Sequence, residues 1–385
     1  MTVKLGGPRP AGAGADAALA FAWFMGGVIN RPLPPLRRLA SSVAGMTTAG
    51  LWSLPDAELA ALFRLTALER ERLAAFRTGF SPAARRAELE RVGVRFAALG
   101  EAAYPRCLEE LFDPAPGIFA IGGLEPLARL GRLTAGRRLA VVGARAASRY
   151  GLDAAEHLAG ALTTAGVCIV SGLAYGIDAA AHQAAIENAG ATIAVLGCGP
   201  DRIYPRAHAA LYRQILKSGV IISEYPPGTG PLPWRFPARN RIIAGISEGV
   251  VVVEAREKSG ALITADFCLE QGKEVFAVPG SIFAEQSAGP HRLIRNGATP
   301  ATRPEDVFEA LGIAVSGRES EATVSLGEDE MRLLGEMAAE YRHLDVLAET
   351  AGLASGAAAA AMVALEVKGL ARHAPGRGYA RRFKG

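Results

Sequence analysis

Cysteine is scarce. Cys107, Cys168, Cys198 and Cys268 stand far apart with no CxxC pair, which argues against a zinc ribbon or a disulfide framework in a chain of 385 residues. They read as small apolar residues of a reducing cytoplasm. Neither sign of charge is in large excess, and a formal net charge of +4 does not by itself identify a nucleic-acid binder, so the placement of the basic residues must carry that argument. No apolar run reaches membrane-spanning length. The candidate near the start, AALAFAWFMGGVI (17–29), follows one lysine, Lys4, and lacks a convincing cleavage site, so it reads as a core helix. Repeats of solenoid period are absent. So is the composition of disordered chains, because half the residues are hydrophobic.

What is present is a multidomain globular pattern. Residues 1–15, rich in Gly, Pro and Ala, are expected to form a mobile tail, and residues 16–90 a small helical domain of the SAM-like type. Residues 91–132 mix short strand-like pieces with prolines and read as a connector packed on the next domain. From 133 to 312, short β-branched runs alternate with helix-length segments: RLAVVG (138–143), VCIVSG (167–172), TIAVLG (192–197), GVIISE (219–224), GVVVVEA (249–255) and EVFAVPG (274–280). That alternation predicts an α/β fold, an extended Rossmann-like parallel sheet with Gly-rich turns at the carboxyl ends of its strands, where such sheets bind ligands. A polar linker (313–327) then leads to three helices and two strand-like pieces in the order of a winged helix (328–385). Its candidate recognition helix, SGAAAAAMVALEVKG, carries few base-reading side chains, which argues against specific duplex readout. Its tail, with Arg372, Arg377, Arg381, Arg382 and Lys384 and no acid, leaves backbone contact or a partner open.

The strand-end turns carry the chemistry. In VVGARAASRYG (141–151) the full GxGxxG fingerprint is missing and no acid ends the following strand, so dinucleotide binding is not expected and no cofactor is assigned. Instead Gly143 permits a tight turn, Ser148 can cap the next helix and Arg145 can reach an anion at that helix start. An arginine paired with a core carboxylate fits the same residues. In SGLAYGIDAAAH (171–182), Gly172 and Gly176 flank a sharp turn, and Asp178 and His182 sit one helical turn apart. No GxSxG elbow surrounds Ser171, so a structural Asp–His hydrogen bond is expected rather than a triad, and two ligands alone make no metal site.

SEYPPGTGPLPWRFPARNRIIAG (223–245) offers a pliable loop at Gly228 and Gly230, ring faces at Trp234 and Phe236, and the guanidinium groups of Arg235, Arg239 and Arg241. Rings interleaved with arginine suit single-stranded nucleic acid, with bases on the rings and phosphates on the charge. A Pro-rich loop packed by its own aromatics is the competing reading. EAREKSGALITA (254–265) sets Lys258, Ser259 and Gly260 at a helix start with Thr264 one turn in, either an anion site or an ordinary N-cap. Together these turns describe a polyanion lying along one rim of the sheet.

These blocks, with AVLGCGPDRIYP, VFAVPGSI and GPHRLIRNGA, cover essentially all of 139–298 in order, and in them the chain resembles the DprA (Smf) family of bacterial DNA-processing proteins of natural transformation. The resemblance implies a non-enzymatic, cytoplasmic, homodimeric protein that binds single-stranded DNA, works alongside or displaces single-strand-binding protein and helps load the RecA recombinase. At matching positions it carries DNA contact to Arg145, Arg239, Arg241, Ser259 and Gly260. Many relatives have Gly-Ser-Arg at the first turn, where this chain has Ala144 and so lacks a hydroxyl. The alternative class is a Rossmann-like enzyme acting on a nucleotide phosphate, with Asp178, His182 or Glu224 as the only evident bases. A third is an adaptor acting through the winged helix.

Overall fold

The computed structural model describes residues 11–29, 31–32, 48–313, 326–338, 341–374 and 376–381. Most of the expected tail (1–10), most of the linker (314–325) and the last basic residues, Arg382 and Lys384, lie outside the described residues.

The amino-terminal helices are α1 (Ala11–Trp23, running into a π turn at Phe24–Val28), α2 (Thr48–Trp52), α3 (Asp56–Leu62), α4 (Ala67–Gly79) and α5 (Pro82–Arg91). Helix α1 starts inside the segment expected to be a mobile tail. Its second half is anchored by buried Leu19, Phe21 and Phe24, and a nucleated helix propagates back through Ala-rich sequence. Phe21, Phe24, Leu59, Phe63 and Leu73 form the core of this unit, while Trp23 packs edge-on against Phe119 of the neighbouring sheet at 5.6 Å.

The sheet has nine strands: β1 (Arg95–Ala98), β2 (Gly117–Ile121), β3 (Arg138–Val142), β4 (Cys168–Ser171), β5 (Thr192–Leu196), β6 (Val220–Ser223), β7 (Gly249–Val252), β8 (Glu274–Ala277) and β9 (Thr299–Pro300), in spatial order β1-β2-β6-β5-β4-β3-β7-β8-β9. All six expected strands are present and run parallel, with Ala140 of β3 facing Val170 on one side and Val250 on the other. The supposed connector is instead part of this sheet: β1 and β2 extend it antiparallel beyond β6, with Phe96 opposite Phe119 and Ala120 opposite Ile222.

Between strands lie α6 (Arg106–Glu109), α7 (Pro126–Ala135), α8 (Arg149–Thr164), α9 (Ile177–Glu187), α10 (Ala209–Ser218), α11 (Arg235–Ile246), α12 (Gly260–Glu270) and α13 (Ala288–Arg295), and α14 (Pro304–Leu311) follows β9. Helices α8 and α9 cover one face through Leu158, Leu162, Ile177 and Ala181 against Val141, Ile169 and Val251. Helices α11 and α12 cover the other through Ile242, Ile243, Ile246, Leu262 and Ala265. Burial on both faces is why the strands read as unbroken β-branched runs. Cys168, Cys198 and Cys268 are buried, and desolvation pushes their thiols up to about 12, 11 and 12, so they behave as apolar filler.

The carboxyl-terminal unit comprises α15 (Glu328–Glu336), α16 (Leu344–Ala351), α17 (Ser355–Val367) and a hairpin of β10 (Ala371–Ala374) and β11 (Gly378–Arg381), built on Leu333, Leu347, Met362 and Leu365. It is a winged helix. No single helix among the described residues is long and apolar enough to cross a membrane.

Candidate nucleic-acid interface

From β3 the chain steps outward through β4, β5 and β6, then returns to place β7 on the other side of β3. The connections leaving the carboxyl ends of β3 and β7 therefore run to opposite faces of the sheet, and a crevice of about 640 Å³ opens between them. One wall is the turn Gly143–Ala146, which sits close on α9. A Cβ at Gly143 would meet Ile177 Cγ1 at 2.5 Å. The opposite wall is the turn from Arg256 to Ala261, backed by Thr264, and the start of α11 closes the third side.

Exposed Arg145 projects from the first wall, its guanidinium carbon 5.3 Å from the centre of the Phe236 ring. Phe236 in turn stacks on Tyr204, 5.4 Å between centroids and 27° between planes. A cation and two rings thus share one column. Across the crevice stand Lys258, exposed and without an ion-pair partner among the described residues, and Arg256, whose pairing with Glu285 at 3.2 Å is too solvated to neutralise it strongly. Ser259 caps α12, its Oγ accepting from the Ala261 amide at 3.3 Å, and the space beside Gly260 is open. The arrangement presents ring faces and cations on facing walls, chemistry that suits stacked bases and a phosphate chain.

The three arginines after Trp234 play other parts. Arg239 is 4 % exposed beneath the crevice, donating to the carbonyls of Gly172, at 3.0 Å, and Val195. Burial lowers its pKa, with nearby Asp178 opposing that shift. The space at Gly172 is filled by this guanidinium, so that glycine serves the packing of Arg239. Arg235, lying against the rings of Tyr225 and Trp234, donates to Gly230 O at 2.6 Å and to Gly26 O at 3.0 Å, tying the loop to the amino-terminal unit. Arg241 is paired with Glu224 and Asp113. Gly228 takes a positive φ of 80°, with its amide donating to Asp201 Oδ1 at 2.9 Å. Gly228, Gly230, Arg235 and Arg241 do not line the crevice. Of the three arginines expected to grip phosphate, Arg235 and Arg241 thus lie outside the crevice and Arg239 forms part of its floor, and most of their donors go to carbonyls and carboxylates of the framework.

Two amide nests that could hold an anion are likewise filled from within. At the start of α8 the Glu254 carboxylate accepts from the Ser148 amide at 2.8 Å and its hydroxyl at 2.5 Å, so Ser148 caps the helix beneath an internal carboxylate rather than a phosphate. In the β4–α9 turn, Asp178 accepts from the amides of Gly172 (3.1 Å) and Ala174 (3.3 Å). Gly176 closes this turn at φ +74°, where a Cβ would strike the Ala144 carbonyl. The expected Asp178–His182 hydrogen bond is not formed. His182 Nδ1 instead lies 2.6 Å from Thr192 Oγ1, whose hydroxyl donates to Ile169 O at 2.6 Å. The hydroxyl's proton being spent, Nδ1 is the donor to Thr192, and Nε2 is buried without a partner among the described residues. Burial first, then the Arg239 charge, lowers the His182 pKa to about 3.

Of the residues singled out in sequence, the crevice gathers Arg145, Asp178, Phe236, Arg239, Lys258, Ser259, Gly260 and Thr264. Sequence reasoning missed Tyr204 and Arg256. The available signals were an aromatic in the Pro-terminated loop after β5 and a second cation two positions before Lys258. No group of three or more His, Cys, Asp or Glu among the described residues could hold a metal ion.

Two family models match: DNA recombination-mediator protein A over residues 95–312, and the DprA winged helix domain over residues 318–377. The chain is 44 % identical over 219 residues to DNA processing protein DprA of Bacillus subtilis, covering 57 % of this chain and 72 % of that protein. It is 40 % identical over 287 residues to protein Smf of Escherichia coli, covering 72 % and 75 %. Among solved structures, DNA processing protein A of Streptococcus pneumoniae superposes with a TM-score of 0.60 at 33 % identity, over 77 % of this chain and 95 % of that one. The Helicobacter pylori protein, described for a unique single-stranded DNA binding mode, superposes with a TM-score of 0.50 at 27 % identity, over 56 % and 95 %.

Proposed function

The chain belongs to the DprA/Smf family of DNA-processing proteins, and from that premise we propose that it binds single-stranded DNA in the crevice between β3 and β7. A base stacks on the exposed ring of Tyr204, whose inner face is backed by Phe236, and phosphates are taken by Arg145 on one wall and by Lys258, Arg256 and the open start of α12 on the other. The observation that carries this reading is the Arg145–Phe236–Tyr204 column facing Lys258, which has no ion-pair partner among the described residues. Buried Arg239 contributes charge and rigidity from below. Protection of the strand, its transfer to a RecA recombinase alongside single-strand-binding protein, homodimeric assembly and cytoplasmic action belong to the same proposal and rest on the family resemblance.

The protein is read as a binder without catalytic activity. A nucleotide-phosphate enzyme would use the amide nests at α8 and β4–α9, but Glu254 and Asp178 fill them. The candidate bases are engaged too: Glu224 by Arg241, Asp178 by two amides, and His182 by Thr192. Fluorescence anisotropy with single- and double-stranded oligonucleotides over several salt concentrations tests the reading. Preference for the single strand is expected, with little dependence on sequence and a log–log salt slope of about −0.7 per phosphate neutralised. Turnover of any member of a nucleotide panel, abolished by Glu224→Gln, would favour the enzyme instead.

A further inference from the structure

The winged helix meets the core where Arg372 of β10 forms a two-pronged ion pair with Asp153 of α8, its guanidinium carbon 5.4 Å from the centre of the Tyr341 ring. Arg149 shares the same carboxylate at 2.7 Å. A cavity of about 630 Å³ lies between the two units, with four arginines against the two acids Asp153 and Glu156. Since Asp153 neutralises part of that charge, the cation at liberty is Arg377, exposed at the turn of the wing with no side-chain partner among the described residues.

Tyr150 connects this cavity to the crevice. It borders both the interdomain cavity and a recess of about 450 Å³ shared with Ser148, Glu254 and Ser287. The recess abuts the crevice across the segment Glu254–Arg256, where Gln286 lines one side and Ser287 the other. The Tyr150 hydroxyl donates to Pro279 O at 2.5 Å, which fixes the ring while leaving it 51 % exposed. Crevice, recess and interdomain cavity thus follow one another along the carboxyl edge of the sheet. The recognition helix α17, by contrast, exposes Ala359, Ala360, Val363 and Val367 and no fully exposed cation.

We propose that a single strand leaving the crevice continues over the Tyr150 ring into the cavity between core and wing, where Arg377 takes a phosphate. The wing, rather than the recognition helix, is then the nucleic-acid surface of the carboxyl-terminal unit, and the Arg372–Asp153 pair holds it in line with the core. This inference rests on the crevice being the primary site.

The test uses full-length protein with Arg377→Ala and Arg377→Glu, both at an exposed position, and thymidine oligomers of about 6 and about 20 nucleotides. Affinity for the short oligomer is expected to stay within twofold of wild type. Affinity for the long one falls about threefold or more with Ala and further with Glu, and the salt slope becomes shallower by about 0.7. An equal response at both lengths, or none at either, overturns the proposal. Photocrosslinking with 5-iododeoxyuridine in the long oligomer should label Tyr150 or Tyr341, and adducts confined to Tyr204 and Phe236 also overturn it. Should wild-type protein fail to bind the short oligomer, or bind it equally well with Lys258→Ala, the crevice itself is contradicted, a result separate from that of the Arg377 comparison.

Discussion

Arg241 holds Glu224 through two parallel bonds, Nη1 to Oε1 at 2.9 Å and Nη2 to Oε2 at 2.6 Å, with the side chains 11 % and 12 % exposed. Asp113 closes the third side, its carboxylate 3.1 Å from Nε. Burial opposes the Arg241 charge, but the two carboxylates outweigh it and raise the pKa above its ordinary value. The residue thus joins α11 to the end of β6 and to the chain after α6.

Arg241→Ala is expected to leave two carboxylates in a half-dry site and to cost about 3–5 kcal/mol of stability by denaturant unfolding. Arg241→Lys should recover little of it, because an ammonium cannot make the two-pronged contact. Binding of single strands by the remaining folded protein should stay within about twofold of wild type, or less than about 0.4 kcal/mol. Unchanged stability, or a selective loss of binding, would contradict this assignment.

His182 sets an acid limit. Its folded-state pKa is about 3, against about 6.5 in the unfolded chain. The unfolded state therefore binds the proton first as pH falls. The stability that neutral His182 contributes is complete above about pH 6.5 and is lost progressively down to pH 3, with a slope approaching about 1.4 kcal/mol per pH unit. Stability measured by urea unfolding between pH 7 and pH 4 should fall accordingly, and His182→Gln should flatten the profile even if it lowers the plateau. An equally steep decline in the variant would assign it to other groups.

The stacking column separates from the charges by its salt response. Tyr204→Leu should weaken single-strand binding by about 1–3 kcal/mol while leaving the salt slope at its wild-type value, since no phosphate contact is removed. A change in slope with little change in affinity would mean that the ring orders the neighbouring cations rather than stacking on bases.

Much of this architecture is written locally. Runs such as AVVG and VVVVEA are β-branched because both faces of their strands are covered, and Ser259 before Gly260 announces a helix start. The short strands RFAA and GIFAI do not announce their place in this way: GIFAI follows Pro114 and Pro116 and is seated on β6, about a hundred residues along the chain, and RFAA joins the sheet by pairing with GIFAI. The same limit governs the arginines. Arg145 and Arg239 are equal as letters, yet one stands on a tight turn in solvent and the other sits beneath a glycine that leaves room for its guanidinium. Ser148 reads as a phosphate cap until Glu254, 106 residues later, arrives to take the place of the anion. Which cations remain free is decided by contacts between distant segments.

The most direct measurement is the salt-dependent affinity of Arg145→Ala/Lys258→Ala for a thymidine oligomer, compared with wild type by fluorescence anisotropy. Both residues are exposed, so thermal stability should be retained. Affinity should fall by about tenfold or more, about 1.4 kcal/mol, with a slope shallower by about 1.4 for two lost phosphate contacts. A folded double variant that binds with wild-type affinity and wild-type slope would contradict a single-stranded DNA site between β3 and β7.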